Sequence, residues 1–345
     1  MNRRNALLSL AALGLASARP AFAQVVNGET SGSLPYLLRD DVRAYIDDFV
    51  LVYGLDRGWI EQAFAQARYS EQAEKLTTPS LTPPGARNWL AYRARNVDER
   101  RIREGAQFLR DERSALARAS ERWGVPEEII VGIIGVETIF GRVTGSFRTL
   151  DVLLTLSFDY TRRAPMYREE LAQFLLLCHE QGIDPLLPRG SFAGALGLPQ
   201  FMPGSIRRWA VDFDGDGRVD LADSRADAIG SVANFLVGHG WQRDLPVQFR
   251  ATADREISDT LGRGITALQA WRDVAALGVT IDGDLDPETR VLLLDLPFRR
   301  PSGDEGVEFR LGTANLQALL HYNRSYFYAV AVADLARAVR LRATA

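Results

Sequence analysis

The chain has 345 residues, 46% hydrophobic and 25% charged, a composition that excludes a disordered polypeptide and leaves room for two or three packed units. Lysines and arginines number 41 against 44 aspartates and glutamates, so the net charge of −3 lacks the basic footprint of a nucleic-acid binder. The lone Cys178 permits no internal disulfide, and with only His179, His239 and His321 beside it no zinc-type cluster can form.

Residues 1–23 read as a cleavable export signal. Met1-Asn2-Arg3-Arg4 is a basic start, Ala6 to Ala18 is apolar, and Ala21-Phe22-Ala23 is a small-x-small cleavage site before Gln24. The apolar run is too short to span a bilayer, so no integral membrane segment is expected in the mature chain. The paired arginines and Arg19 suit the twin-arginine route as well as the general secretory one, and the destination is the periplasm. No cysteine at the cleavage site offers a lipid attachment, so an unlipidated protein is expected. Losing Arg3, Arg4 and Arg19 takes the net charge from −3 to −6.

After a Gly/Ser-rich stretch from Asn27 to Ser33, two amphipathic helices are expected. Asp41 caps the first, with Val42, Tyr45, Ile46 and Phe49 on one face; Asp56 caps the second, with Ile60, Phe64 and Ala67 in register. Three prolines interrupt Thr77 to Gly85, and one long charged helix follows from Asp98 to Trp123. Pro126-Glu127-Glu128 starts a new helix that is apolar almost all round from Ile129 to Phe140 and therefore buried. Helices continue over Leu150–Leu156 and Glu169–His179. Pro246–Ala253, Val279–Asp282, Arg290–Leu296 and Val307–Leu311 read as short strands around a helix near Ile265–Ala276, and a helical pattern returns from Ala314.

Four runs carry chemistry. Glu137 lies in Ile133-Ile134-Gly135-Val136-Glu137-Thr138-Ile139-Phe140-Gly141, where apolar neighbours one turn away strip its hydration and raise its pKa. That suits a general acid; a buried glutamate paired with an arginine is the alternative. Arg189 to Pro203 is glycine-rich, lets the backbone approach a ligand, and ends in Gln200, a donor and acceptor for a sugar amide or hydroxyl. Taken alone it also suits a connector whose Phe201 and Met202 fill core. Asp212 to Asp223 places acids at positions one, three, five, nine and twelve, with Gly217 at six and Val219 at eight, the spacing of an EF-hand calcium loop. Position twelve is Asp223 where glutamate is usual, and a single loop argues for a structural clamp. His321 to Tyr328 supplies aromatic rings and an amide, material for stacking on sugars or for a core helix face.

Together these runs resemble the lytic murein transglycosylase B family. The resemblance rests on Val136 to Gly141, Phe158-Asp159-Tyr160 with Arg162-Arg163-Ala164, Gly190 to Pro203, Ala210 to Phe213, Ala228 to Asn234, and Tyr322-Asn323. It implies an α+β, mainly α fold: a goose-type lysozyme-like helical core with a helical N-terminal region and a small β-containing insertion. The expected divisions are 1–23 signal, 24–120 N-terminal helices, 121–243 catalytic core, 244–313 small α+β region, and 314–345 a C-terminal helix rejoining the core. Glu137 matches the family's single catalytic acid. Ser191, Gln200, Tyr322, Asn323 and Tyr328 match groove residues, and Asp212, Asp214, Asp216, Arg218 (by its carbonyl) and Asp223 match the cation loop, implying a structural Ca²⁺ and no cofactor for the chemistry. Phe235 stands where a groove tyrosine is usual, and Met166 beside Tyr167 is a second departure; both places are expected to stack sugars. The implied activity is non-hydrolytic cleavage of peptidoglycan glycan strands, with other cell-wall enzymes as candidate partners. A lysozyme-like hydrolase and a non-catalytic peptidoglycan-binding protein are the alternatives.

Overall fold

The computed structural model describes residues 34–79, 87–254 and 268–345. The export signal, the Gly/Ser-rich stretch, most of the proline-rich segment and the start of the helix expected near Ile265 lie outside the described residues.

Chain order begins with α1 (Asp40–Tyr53), α2 (Arg57–Ala65) and α3 (Glu71–Thr77). Asp56 caps α2 by accepting from the Trp59 amide at 2.7 Å. Asp41 does not cap α1: the helix starts at Asp40, and Asp41 sits in its first turn, paired with Arg39, which also reaches Asp159 at 2.5 Å. Next come α4 (Trp89–Asn96), α5 (Glu99–Asp111), α6 (Arg113–Trp123) and α7 (Glu127–Thr138). The single helix expected from Asp98 to Trp123 is thus two, broken at Glu112. Each half packs on a different partner, which one straight axis could not reach. The chain continues through β1 (Phe147–Arg148), α8 (Thr149–Phe158), α9 (Ala164–Gln181), β2 (Arg189–Gly190), α10 (Pro203–Trp209) and α11 (Arg225–Gly238).

The small α+β region holds β3 (Gln248–Thr252), β4 (Gln269–Ala270), α12 (Trp271–Ala276), β5 (Thr280–Ile281), β6 (Arg290–Arg299) and β7 (Glu305–Gly312). Its antiparallel sheet has the order β4-β6-β7-β3-β5. Alternation along β6 sends Leu292, Leu294 and Leu296 into the main core and Val291 and Leu293 into a small core with Val274, Val279 and Leu311. The C-terminal pattern resolves into α13 (Ala314–Tyr322) and α14 (Tyr326–Thr344), separated by a short turn at Asn323. No helix among the described residues is long and apolar enough to cross a membrane.

The cores interleave along the chain. α1 to α3 share one with α8 and α9, through Ile46, Phe64, Leu153 and Phe174. α4 to α7 share the main core with α11, α13 and α14. Its axis is α7 against α14: a Cβ at Gly132 would meet the Val332 carbonyl oxygen at 2.9 Å, so the two helices touch backbone to backbone. α7 ends abruptly. Ile139 and Phe140 both adopt left-handed conformations (φ 51° and 57°), followed by Gly141 at φ 90°. For an isoleucine and a phenylalanine that costs on the order of 1–3 kcal/mol each. Packing holds the turn in place: the Phe140 ring lies on Phe108 (centroids 5.4 Å apart) and fills a notch whose walls are Gly105 and Gly135.

A methyl group at Gly135 would sit 2.7 Å from the Phe140 Cζ. Gly135→Ala is therefore expected to lower unfolding free energy by about 1–3 kcal/mol in urea titrations, despite the better helix former. A gain in stability would mean that the notch can relax and that Phe140 does not depend on it.

Candidate active site

Glu137 is the penultimate residue of α7, one turn beyond Ile133 and Ile134, both fully buried. α14 returns from the far end of the chain to place Tyr328 against it, the phenol donating to Glu137 Oε1 at 2.6 Å. Burial pushes the Glu137 carboxyl up to about 7, partly opposed by that hydrogen bond. Among the described residues no arginine or lysine pairs with it and no second carboxylate contributes to its shift. The alternative of a buried glutamate held in an ion pair is thereby removed.

Two other tyrosines surround the acid. Tyr322, at the end of α13, stacks on Tyr328 (6.3 Å, interplanar 18°) and donates to the Pro199 carbonyl at 2.5 Å. Tyr92 on α4 is close enough for the Glu137 charge to raise its pKa, after the larger effect of burial. Sequence reasoning missed Tyr92: a Trp-Tyr pair in a short charged helix carries no sign of what it will face.

The glycine-rich loop is clamped to the same spot. Thr138 Oγ1, next to the acid, donates to the Leu198 carbonyl at 2.9 Å and accepts from the Gly141 amide at 3.1 Å. Gln200 adopts φ 52° and spends its amide hydrogens on Gly197 O (2.9 Å) and Thr144 O (3.0 Å). Its side-chain carbonyl stays available as an acceptor. Ser191 Oγ accepts from the Ala193 and Ala195 amides, which leaves its hydroxyl proton to donate. Asn323 is exposed in the turn between α13 and α14, and its side-chain amide has no partner among the described residues.

Two expected groove residues are placed differently. Phe235 is buried behind Tyr322 (4.9 Å), between Phe201 and His239, so it backs the wall rather than lining it. Tyr167 is 3% exposed in the N-terminal core, edge-on to Tyr160, and its neighbour Met166 is the exposed one. Both aromatic rings are drawn inward because apolar surface surrounds them.

The acidic loop gathers differently from its spacing. Carboxylate oxygens of Asp212, Asp214 and Asp227 lie within 4.8 Å of one another, and Asp227 is buried. Asp223 is not in this cluster. Asp220 Oδ1 accepts from the Ala222 and Asp223 amides, a tight turn that delays the helix start to Ser224. Ser224 then caps α11, and the capping-box position three residues on is Asp227. Ser224-Arg225-Ala226-Asp227 was the readable signal. Asp227 also accepts from the amides of Phe213, Asp214 and Asp220 at 2.7, 3.3 and 2.8 Å. Asp216 Oδ1 holds the Arg218 amide at 2.8 Å. Convergent carboxylates in a loop of this kind are the donor set of a hard divalent cation.

A lone half-buried carboxyl group near its ionisation midpoint, set among tyrosines and fixed amide and hydroxyl groups, is an arrangement that can both give and take a proton. Comparison with known proteins makes the assignment specific. The family model described as Transglycosylase SLT domain matches residues 39–337, and the chain belongs to that family. The membrane-bound lytic murein transglycosylase B of Escherichia coli K12 is 39% identical over 308 residues, 87% of this chain and 83% of that protein. The E. coli lytic transglycosylase Slt35 in complex with calcium superposes with a TM-score of 0.78 at 39% identity, over 88% of this chain and 93% of that one. SltB3 of Pseudomonas aeruginosa in complex with NAG-anhNAM-pentapeptide gives 0.73 at 28% identity, over 86% and 79%. The lysozyme-like, mainly helical fold expected from the sequence is the one found.

The folded protein keeps Glu137 neutral up to about pH 7, while an unfolded chain ionises it near 4.5; stability present at acid pH is therefore lost as pH rises between these values. Glu137→Gln is expected to match the wild type at pH 4 and exceed it at pH 8 by on the order of 2–3 kcal/mol in denaturant titrations. Tyr328→Phe removes the bond that favours the ionised form, so the alkaline limb of the pH–rate profile should move to higher pH. A limb that stays put would detach Tyr328 from the acid's titration.

Proposed function

We propose that the protein is a lytic transglycosylase that cleaves the β-1,4 bond between N-acetylmuramic acid and N-acetylglucosamine in peptidoglycan, leaving 1,6-anhydro ends. The observation that carries this reading is the solitary, half-buried and desolvated Glu137 in a chain of the transglycosylase family. Hydrolases of glycans usually pair two carboxyl groups across the scissile bond; one group must serve twice here.

Glu137, protonated at its raised pKa, gives its proton to the oxygen linking the two sugars. The bond from that oxygen to the muramic C1 breaks, and the sugar's own acetamide steadies the cationic carbon. The Glu137 carboxylate then takes the proton from the 6-hydroxyl, whose oxygen bonds to C1. No water enters, and the acid ends protonated. Tyr328 serves the middle of the cycle, because a phenol donor stabilises the carboxylate more than the acid. Ser191, Gln200 and Asn323 present a donor, an acceptor and a free amide to the sugar's hydroxyl and acetamide groups. Tyr322 and Phe235 hold the wall against which they are positioned. Tyr167 supports the fold beneath the exposed Met166.

The reading places the enzyme in the periplasm, where its polymer is. Asp212, Asp214 and Asp227 would hold a Ca²⁺ that stiffens the loop and takes no part in the reaction, with Asp216, Arg218 and Asp223 in the surrounding turn. EGTA is expected to lower the melting temperature and calcium to restore it, and Asp227→Asn should abolish the response. A chelator-insensitive protein would remove the cation from the loop.

Mass spectrometry of muropeptides released from purified peptidoglycan tests the reaction. Anhydro products are expected from the wild type, with release by Glu137→Gln down by about 100-fold or more. Reducing ends in place of anhydro ends would make the enzyme a hydrolase.

A further inference from the structure

A second cleft, of about 530 Å³, opens between α9, α10 and α11, lined by Glu170, Gly204, Arg208, Trp209 and His239 among others. Its Trp209 and His239 pack on the same cluster of rings that, through the core, reaches the tyrosines around Glu137. From Tyr328, bonded to Glu137, rings run through Tyr322 to Phe235 (4.9 Å), from Phe235 to His239 (4.0 Å) and from His239 to Trp209 (5.1 Å).

Its polar groups are poised and incompletely used. Glu170 Oε2 accepts from the Gly204 amide at 2.8 Å, while Oε1 has no partner and the carboxyl has no ion pair among the described residues. The approach depends on glycine: a Cβ at Gly204 would stand 3.3 Å from both carboxylate oxygens. Burial raises the Glu170 carboxyl above its usual range, the mark of an acid lacking its counter-charge. Arg207 beside it is committed, forked onto Glu180 at 2.9 and 2.6 Å. Arg208 is exposed without a carboxylate partner among the described residues, yet near enough for its charge to act on Glu170 and His239. His239 donates from Nδ1 to the Phe235 carbonyl at 2.7 Å, which leaves Nε2 as an acceptor. The cleft thus holds an acid wanting a cationic donor, a cation wanting an anion, and a half-buried indole wall.

We propose that this cleft is a recognition subsite for an amino-acid zwitterion, the free ammonium and carboxylate that a diamino acid presents on an uncrosslinked peptide stem of the bound glycan strand. Glu170 takes the ammonium, Arg208 takes the carboxylate, and Trp209 covers the aliphatic stem between them. The inference rests on the proposed peptidoglycan activity, and it makes the enzyme select strands whose stems are free rather than crosslinked.

Two substrates and two variants in the cleft test it. On strands carrying free stems, Glu170→Gln and Arg208→Gln are each expected to raise KM about tenfold with kcat unchanged. On strands stripped of peptide by an amidase, both variants should equal the wild type. Capping the stem ammonium by acetylation should bring the wild type to the variants' level. Unchanged KM on free-stem strands, or equal losses on both substrates, would overturn the subsite. Calorimetry with the isolated stem tripeptide separates this from the reaction itself. Binding by the wild type that both variants lose keeps the subsite even if no strand is cleaved; no binding, with KM unaffected, removes it while cleavage stands.

Discussion

The contact between α7 and α14 determines what Glu137 can do. The two helices approach closely enough that Gly132 has no room for a side chain, and the same approach delivers Tyr328 to the Glu137 carboxyl. Apolar neighbours strip much of the water from the acid; the phenol replaces one of the lost hydrogen bonds, and no cation among the described residues replaces the rest. A carboxyl treated this way settles near pH 7, where it can both give and receive a proton. An arginine in place of Tyr328 would hold the carboxyl ionised and so deprive it of the proton an acid must give.

The site therefore depends on a helix far along the chain returning to the main core. α14 comes from residues 326–344, nearly two hundred positions from its partner, and the small sheet between them is an excursion that buries one face of β6 before the chain returns. That return also sets Tyr322, the last residue of α13, against Tyr328. The left-handed exit from α7 has the same origin. Phe140 is held in its notch, so the chain turns back toward the glycine-rich loop and Thr138 meets Leu198.

Local features of the site were legible because they are written in adjacent residues. The apolar surroundings of Glu137, the glycine spacing of 190–203 and the acids of 212–223 each follow from neighbours a few positions apart. The family resemblance added order but not contact. Tyr92 escaped because its relation to Glu137 spans the main core, and Phe235 and Tyr167 read as groove rings because burial is a property of the packed chain, not of the motif. The break at Glu112 has the same character: α5 and α6 have one continuous polar pattern, and only their separate partners divide them. Asp227 is the instructive case, since a turn at Asp220 to Asp223 shifts the counting, and an N-cap signal outranks a loop template.

The acidic loop lies outside the groove, yet its rigidity has a path to the acid. Asp227 collects three loop amides onto the first turn of α11, and Ser231 and Asn234 on the same helix hold Val211 N and Trp209 O at 3.0 and 2.8 Å. The end of the loop joins the glycine-rich run directly, the Leu198 amide donating to Leu221 O at 2.8 Å. α11 also carries Phe235, which backs Tyr322. A loop that opened would loosen Leu198, and with it the Thr138 bond one residue from Glu137. The proposed one-carboxylate mechanism would tolerate little of this, since the same oxygen pair would face the bridging oxygen first and the 6-hydroxyl afterwards, and a displacement of about 1 Å in such a constellation costs on the order of 100-fold in rate. A divalent ion there would contribute no electrons and no proton, only the persistence of that geometry.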